Sequence, residues 1–182
     1  MRQQIASMLV KMTSESRQMV YIVPMTIDGL DAHLIRALAA TPRAGIMELA
    51  RQLGVARGTV QARLDKLQTR GVITGFDPDL DLGALGYEVL AFVTLDIAQG
   101  RLDDVTTHLG EIPEVIEAHT MTGPGDLHCR LVARSNQHLQ EVINRILEVS
   151  GIERTATHIA LTEQVPFRVL PLVDQLGDGG PS

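Results

Sequence analysis

Apolar residues return at helical spacing in three successive stretches near the start of the chain. From Asp28, the positions Leu30, Leu34, Ile35 and Leu38 form one stripe. Asp28 suits an N-cap, and Asp31 lies near the positive end of the helix dipole. The helix is predicted to stop near Ala40, because Pro42 biases Thr41 away from helical angles. A second stripe of Ile46, Leu49, Ala50 and Leu53 predicts a helix from about Gly45 to Leu53, with Gly54 taking the left-handed turn and Val55 plugging it. The third runs from about Arg57 to Arg70, turning Val60, Leu64 and Leu67 inward and ending at Gly71.

The period changes to two at Tyr87. Tyr87, Val89, Ala91, Val93, Leu95 and Ile97 point one way along a predicted strand, with Leu90 and Phe92 among polar residues on the other side. A helix from about Leu102 follows, with Leu102, Val105, Leu109 and Ile112 inward. Two strands, about 115–122 and 127–134, join through Gly123-Pro124-Gly125-Asp126. A helix carrying Leu139, Val142, Ile143, Ile146 and Leu147 and a strand from about Ile152 to Leu161 complete the order βαββαβ, which is that of a ferredoxin-like fold. The fold class is α+β. Residues 27–76 form a plain or winged helix-turn-helix domain, 77–86 a linker, 87–165 the ferredoxin-like domain and 166–182 a tail ending in a disordered GDGGPS. Both helices of such a fold cover one face of the sheet, so Leu90, Phe92 and Val132 on the other face need a second cover. A partner subunit related by two-fold symmetry is the simplest one.

Charge sharpens the division. The whole chain carries -6, but residues 28–76 hold seven Arg or Lys against four acids, a net +3, while residues 77–182 carry -11. A basic module inside an acidic protein places any nucleic-acid contact in the first domain. The single Cys129 excludes an internal disulfide framework and fits a reducing cytoplasm, where it serves as a small strand hydrophobe. Residues 1–26 read as a flexible extension; its basic residues also allow an arm that touches DNA or a partner, and Met25-Thr26 leaves open a later start. Its apolar run, Ile5 to Val10, is broken by Lys11 and is too short for a signal-peptide core. No stretch reaches membrane-spanning length, so the expected location is the cytoplasm. His119, His128, His158 and Cys129 share the predicted sheet, yet none has metal-ligand spacing, and adjacent His128 and Cys129 face opposite ways. No nucleophile elbow, phosphate loop or dinucleotide fingerprint is present, and the expectation is a non-enzyme without metal or cofactor.

Helix, tight glycine turn, helix is the geometry in which the second helix of the pair can enter a major groove. At about 100° per residue, Gly58, Ala62 and Asp65 fall opposite the buried stripe of the third helix, with Thr59 and Lys66 on one shoulder and Gln61 on the other. Small Gly58 and Ala62 allow close backbone approach, and Thr59 and Gln61 have hydrogen-bonding capacity toward base edges. Arg43, Arg57, Arg63 and Lys66 suit phosphates. A trihelical bundle used for protein contact would show the same pattern. In the second domain, the turn Thr122-Gly123-Pro124-Gly125-Asp126 offers exposed amides for a carboxylate and an acid for an ammonium, a combination that suits an amino acid. A simple hairpin connection, whose glycines merely supply positive φ, is the favoured reading of the turn from its residues alone.

The residues themselves carry a more specific pattern. Leu30-Asp31, Arg43, Glu48-Leu49-Ala50, Leu53-Gly54-Val55, Thr59-Val60, Arg63-Leu64, Leu67 and Gly71-Val72-Ile73-Thr74-Gly75-Phe76 stand in an order that resembles the leucine-responsive and asparagine-responsive (Lrp/AsnC) family of prokaryotic regulators. One departure is Ala56, where the family usually places Ser; losing that N-cap costs about 1 kcal/mol of local stability. The resemblance implies a regulator of transcription that binds double-stranded DNA, as dimers that in the family often assemble into octamers. It implies, too, an amino-acid effector bound between subunits at a Gly-x-x-Asp position, which Gly123 and Asp126 match; Gly125 is added from this chain alone. The alternative is an amino-acid-sensing or assembly module without DNA binding.

Overall fold

The computed structural model describes residues 10–11, 20–21 and 27–177. The expectations for the rest of the first 26 residues and for the last five lie outside the described residues. The elements in chain order are β1 (Val10–Lys11), β2 (Val20–Tyr21), α1 (Gly29–Ala40), α2 (Ile46–Leu53), α3 (Arg57–Thr69), β3 (Val89–Ile97), α4 (Leu102–Gly110), β4 (Val115–Thr120), β5 (Leu127–Ala133), α5 (Asn136–Ile146), β6 (Ile152–Ile159) and α6 (Leu170–Gly177). They divide into two units, residues 1–77 with 167–182, and residues 78–166.

In the first unit the three predicted helices form as the apolar stripes require. Asp28 caps α1 by accepting from the Asp31 amide, and Asp31 returns the bond to the Asp28 amide, a reciprocal capping box. Leu34, Leu49, Ala50, Val60 and Leu67 make the buried core, with Leu38, Leu53, Val55, Leu64 and Val72 packed around it. Each fully buried leucine contributes about 1.5–3 kcal/mol relative to exposure. α2 and α3 end alike. Gly54 and Gly71 adopt φ of 66° and 69°, and the residue after each donates back five positions, Val55 to Ala50 O at 3.1 Å and Val72 to Leu67 O at 2.9 Å. Both closures satisfy carbonyls that a helix end leaves open. No strand appears between α3 and β3, so this is the plain form of the motif rather than a winged one.

The C-terminal stretch, expected to be a tail, carries α6, which packs on α1 within the first unit. Val173 is its buried anchor, and Arg36 of α1 meets Asp174 through Nε and Oδ1 at 2.5 Å. Both partners of that pair are over a third exposed, so it adds less than about 1 kcal/mol, and the apolar contact dominates. The first unit is therefore assembled from segments on both sides of the second in sequence.

The second unit is a four-stranded antiparallel sheet in the order β4-β5-β3-β6, as the βαββαβ pattern requires. Ala91, Val93, Leu95, Leu127, Cys129, Leu131 and Ala133 face α4 and α5, burying Val105, Leu109, Ile112, Leu139, Val142 and Ile146 against them. Leu102, expected inward, is exposed at the first position of α4, and Leu147 is exposed at the C-cap of α5. On the helix-free face, Leu90 and Phe92 remain half-buried. Val132 does not belong with them as an uncovered residue. It sits opposite Leu90, receives the strand-entry segment through Val132 N to Glu114 O at 2.9 Å, and is only 3% exposed.

If α6 is an integral part of the first unit, Val173→Asp should lower the stability of that unit by about 2 kcal/mol, the usual scale for an unpaired charge forced into a small core. Arg36→Ala should cost under about 1 kcal/mol. Calorimetry should show the transition of residues 78–166 unmoved; equal melting of Val173→Asp and wild type would remove α6 from the unit.

Candidate nucleic-acid interface and effector turn

α3 is held by its buried stripe, with Val60 and Leu67 fully inside and Leu64 half-buried. Its opposite side is open: Gly58, Thr59, Gln61, Ala62, Asp65 and Lys66 are all exposed. No neighbouring atom lies within 4 Å of where a Cβ of Gly58 would stand, so a nucleic-acid backbone or base edge has room there. Ala56, extended at φ -65°, ψ 145°, caps α3 without a side-chain hydrogen bond. The first amides of the helix are left without that partner, and unpaired amides at a helix N-terminus suit phosphate oxygens.

The expected cations separate into two groups. Arg43, Arg57 and Lys66 are exposed and, among the described residues, have no carboxylate within 4.0 Å. Arg70 behaves the same way and was not singled out from sequence, although it follows Lys66 by one helical turn on the same shoulder. Arg63 differs. Its NH1 lies 2.7 Å from both carboxylate oxygens of Asp28 and 2.7 Å from Oδ1 of Asp31. The hydrogen bond from Arg63 holds the Asp28 carboxyl below its ordinary value, and the two acids push the Arg63 guanidinium up. A cation so engaged is less free to hold a phosphate than Arg43, Arg57 or Lys66, although 27% of its side chain stays exposed. Gln61 is also partnered, donating Nε2 to Asp65 Oδ1 at 2.8 Å across one turn. Its carbonyl and second N–H remain available for a base edge.

In the second unit, the turn between β4 and β5 is bolted to the end of β3. Asp126 N donates to Leu95 O at 2.9 Å, and Asp126 Oδ2 accepts from Ile97 N at 2.7 Å. Gly123 and Gly125 both have positive φ, 116° and 79°. They are not equivalent: a Cβ on Gly125 would stand 2.1 Å from Thr94 Cγ2, whereas one on Gly123 meets nothing. Gly125 is thus required by packing against β3, and Gly123 borders open space where a ligand could approach. Asp126 is exposed and commits Oδ2 to the backbone, while Oδ1 makes no hydrogen bond among the described residues.

The remaining chemistry on the sheet is separate. Cys129 is buried, which pushes its thiol up to about 11 and keeps it an unreactive hydrophobe. His128 stacks on Phe92 at 5.8 Å and meets Thr94 Oγ1 at 3.2 Å through Nδ1, while His119 Nε2 lies 2.7 Å from Glu117. Among the described residues no three His, Cys, Asp or Glu side chains gather as a metal site, and no helix is long and apolar enough to cross a membrane.

Residues 27–68 match the model of the AsnC-type helix-turn-helix domain, and residues 90–170 match that of the Lrp/AsnC ligand binding domain. The chain is 33% identical over 147 residues to the regulatory protein AsnC of Escherichia coli, covering 80% of this chain and 97% of that protein. It is 30% identical over 146 residues to the HTH-type transcriptional regulator FL11 of Pyrococcus horikoshii, again with 80% and 97% coverage. Among solved structures, that of Escherichia coli AsnC superposes with a TM-score of 0.76 at 32% identity, over 81% of this chain and all of that one. A feast or famine regulatory protein of M. tuberculosis, solved with L-methionine, gives 0.69 at 29% identity over 77% and 95%.

The two glycines of the turn should respond differently to the same change. Gly125→Ala adds a left-handed penalty of about 1–2 kcal/mol and an overpacking cost of about 1–3 kcal/mol against Thr94. Gly123→Ala should carry the conformational part alone. Urea titration of the two variants checks this, and Thr94→Ser, which removes the clashing methyl, should recover part of the Gly125→Ala loss.

Proposed function

From a chain that belongs to the Lrp/AsnC family of DNA-binding transcriptional regulators, we propose that α3 lies in the major groove with Thr59 and Gln61 reading base edges. Gly58 and Ala62 let the helix approach, and Arg43, Arg57 and Lys66, joined by Arg70, hold phosphates. The observation that supports this best is the separation of charge and contact on α3. Its exposed side has small residues at Gly58 and Ala62, with cations around them that meet no carboxylate among the described residues, whereas its other cation, Arg63, is engaged by Asp28 and Asp31. Two such helices in a dimer would address two half-sites.

The effector is an amino acid held at the turn, its ammonium at Oδ1 of Asp126 and its carboxylate near the amides beside Gly123. Support comes from the open space at Gly123, the Oδ1 of Asp126 that makes no hydrogen bond among the described residues, and the L-methionine in the M. tuberculosis relative. The dimer closes over the helix-free sheet face through Leu90 and Phe92, which are left half-buried. Effector binding between subunits changes assembly, and assembly sets the spacing of the recognition helices, so the two events are thermodynamically linked. The protein acts in the cytoplasm, where its DNA is.

DNA binding is tested with a duplex from the gene's own upstream region. Affinity should fall steeply with salt; Lys66→Ala should weaken every sequence alike and reduce the salt slope by about one. Gln61→Ala should instead alter preference among sequences. No duplex binding by the wild type at low salt would favour an assembly module without DNA binding.

Assembly and effector are tested together by light scattering and by calorimetry with the twenty amino acids. Asp126→Asn keeps an acceptor for Ile97 N–H while removing the charge, so it should preserve the dimer and weaken effector binding by about tenfold, the scale of one charged hydrogen bond. Phe92→Asp should dissociate the dimer. Undiminished affinity in Asp126→Asn returns the turn to a hairpin connection, and a wild-type monomer at micromolar concentration removes the proposed interface.

A further inference from the structure

Asp31 is the one charged side chain that is fully buried among the described residues, with no accessible surface. An ionised carboxylate in that position is costly unless paired and hydrogen-bonded. Its partner comes from 32 residues away: Arg63 NH1 at 2.7 Å, which at the same time meets both oxygens of Asp28 at 2.7 Å. The two acids are already locked to each other by the capping box, Asp31 N to Asp28 Oδ1 at 2.9 Å. One end of α1 thus presents a rigid double carboxylate to the middle of α3.

This contact does what the rest of the α3 interface cannot. Val60, Leu64 and Leu67 bind α3 through apolar burial, which is non-directional and tolerates rotation of the helix about its axis. The Gly54-Val55 turn fixes only its N-terminal end. Arg63 lies on the border between the buried stripe and the exposed side, and its guanidinium has a directional geometry. We propose that Asp28, Asp31 and Arg63 form a clamp that sets the rotation of the recognition helix, so that Arg63 is a positioning residue for sequence reading and not a phosphate contact. The inference rests on the placement of α3 in the major groove. It adds residues that no DNA atom touches yet on which discrimination depends.

The clamp predicts a sign that electrostatics alone does not. Asp31→Asn removes one negative charge from the DNA-binding unit and leaves every DNA-facing cation in place, while Asp28, the N-cap of α1, is untouched. The probes are a duplex selected by the wild type from a random-sequence pool and a scrambled duplex of equal composition, at 10 °C, with circular dichroism verifying wild-type helix content. The ratio of the two affinities should drop about tenfold or more in Asp31→Asn, the value of roughly one lost base contact, with the salt slope unchanged. Arg63→Met, which removes the nitrogen that meets both acids, should reproduce the drop. If Asp31→Asn instead binds both duplexes equally more tightly, or if Arg63→Met discriminates as the wild type does, the clamp is overturned. A stability loss with an unchanged ratio likewise overturns it, as a purely structural role. Asp28→Asn, on the exposed side of the network, supplies the same readout should Asp31→Asn fail to fold. A wild type that selects no sequence from the pool overturns the DNA reading itself, which separates that failure from failure of the clamp.

Discussion

A carboxylate with no access to water, Asp31, is the constraint around which the DNA-binding unit is arranged. It cannot be left alone, so α1 and α3 must meet where Arg63 can reach it, and Asp28 must stay ionised beside it. The consequence is that a recognition helix otherwise held by aliphatic packing acquires a directional contact with the helix that opens the domain. The same requirement engages one cation of α3, leaving Arg43, Arg57, Lys66 and Arg70 exposed without a carboxylate partner among the described residues.

The second unit solves a similar problem with backbone instead of charge. The amide of Ile97, at the end of β3 and beside the register shift between Asp96 and Ile97, finds its acceptor in Asp126. That bond, with Asp126 N to Leu95 O, presses the turn so close to Thr94 that only glycine fits at position 125. The turn is therefore a rigid rim, and its two glycines divide the work: one permits the approach to β3, the other leaves an opening. A ligand held on such a rim needs little reordering of the chain, which favours affinity.

Charge is partitioned as the two roles demand. The basic helices form the unit that would approach phosphates, and the acid-rich remainder carries the sheet, its helices and the effector turn. α6 crosses that partition in sequence, since it follows the acidic domain but packs on α1. Its exposed neighbours Leu161, Val165 and Phe167 lie along the irregular segment joining β6 to α6.

The sequence by itself determined the three helices and the βαββαβ unit, because their apolar periods are local and a glycine closure follows α2 and α3 within two residues, at Gly54 and Gly71. It determined the family through Leu53-Gly54-Val55 and the ordered residues around it, and it singled out α3 and the Gly123–Asp126 turn as the candidate sites. Tertiary structure decided which polar groups find each other. Arg63 and Asp28 are 35 residues apart, Ile97 and Asp126 are 29 apart, and Arg36 and Asp174 are 138 apart. Periodicity states which face of an element is buried, but an arginine on the border of that face can turn toward DNA or toward a buried acid with the same local pattern. Only the packing of distant elements chooses between them, and here the buried acid, unable to reach water, takes the cation.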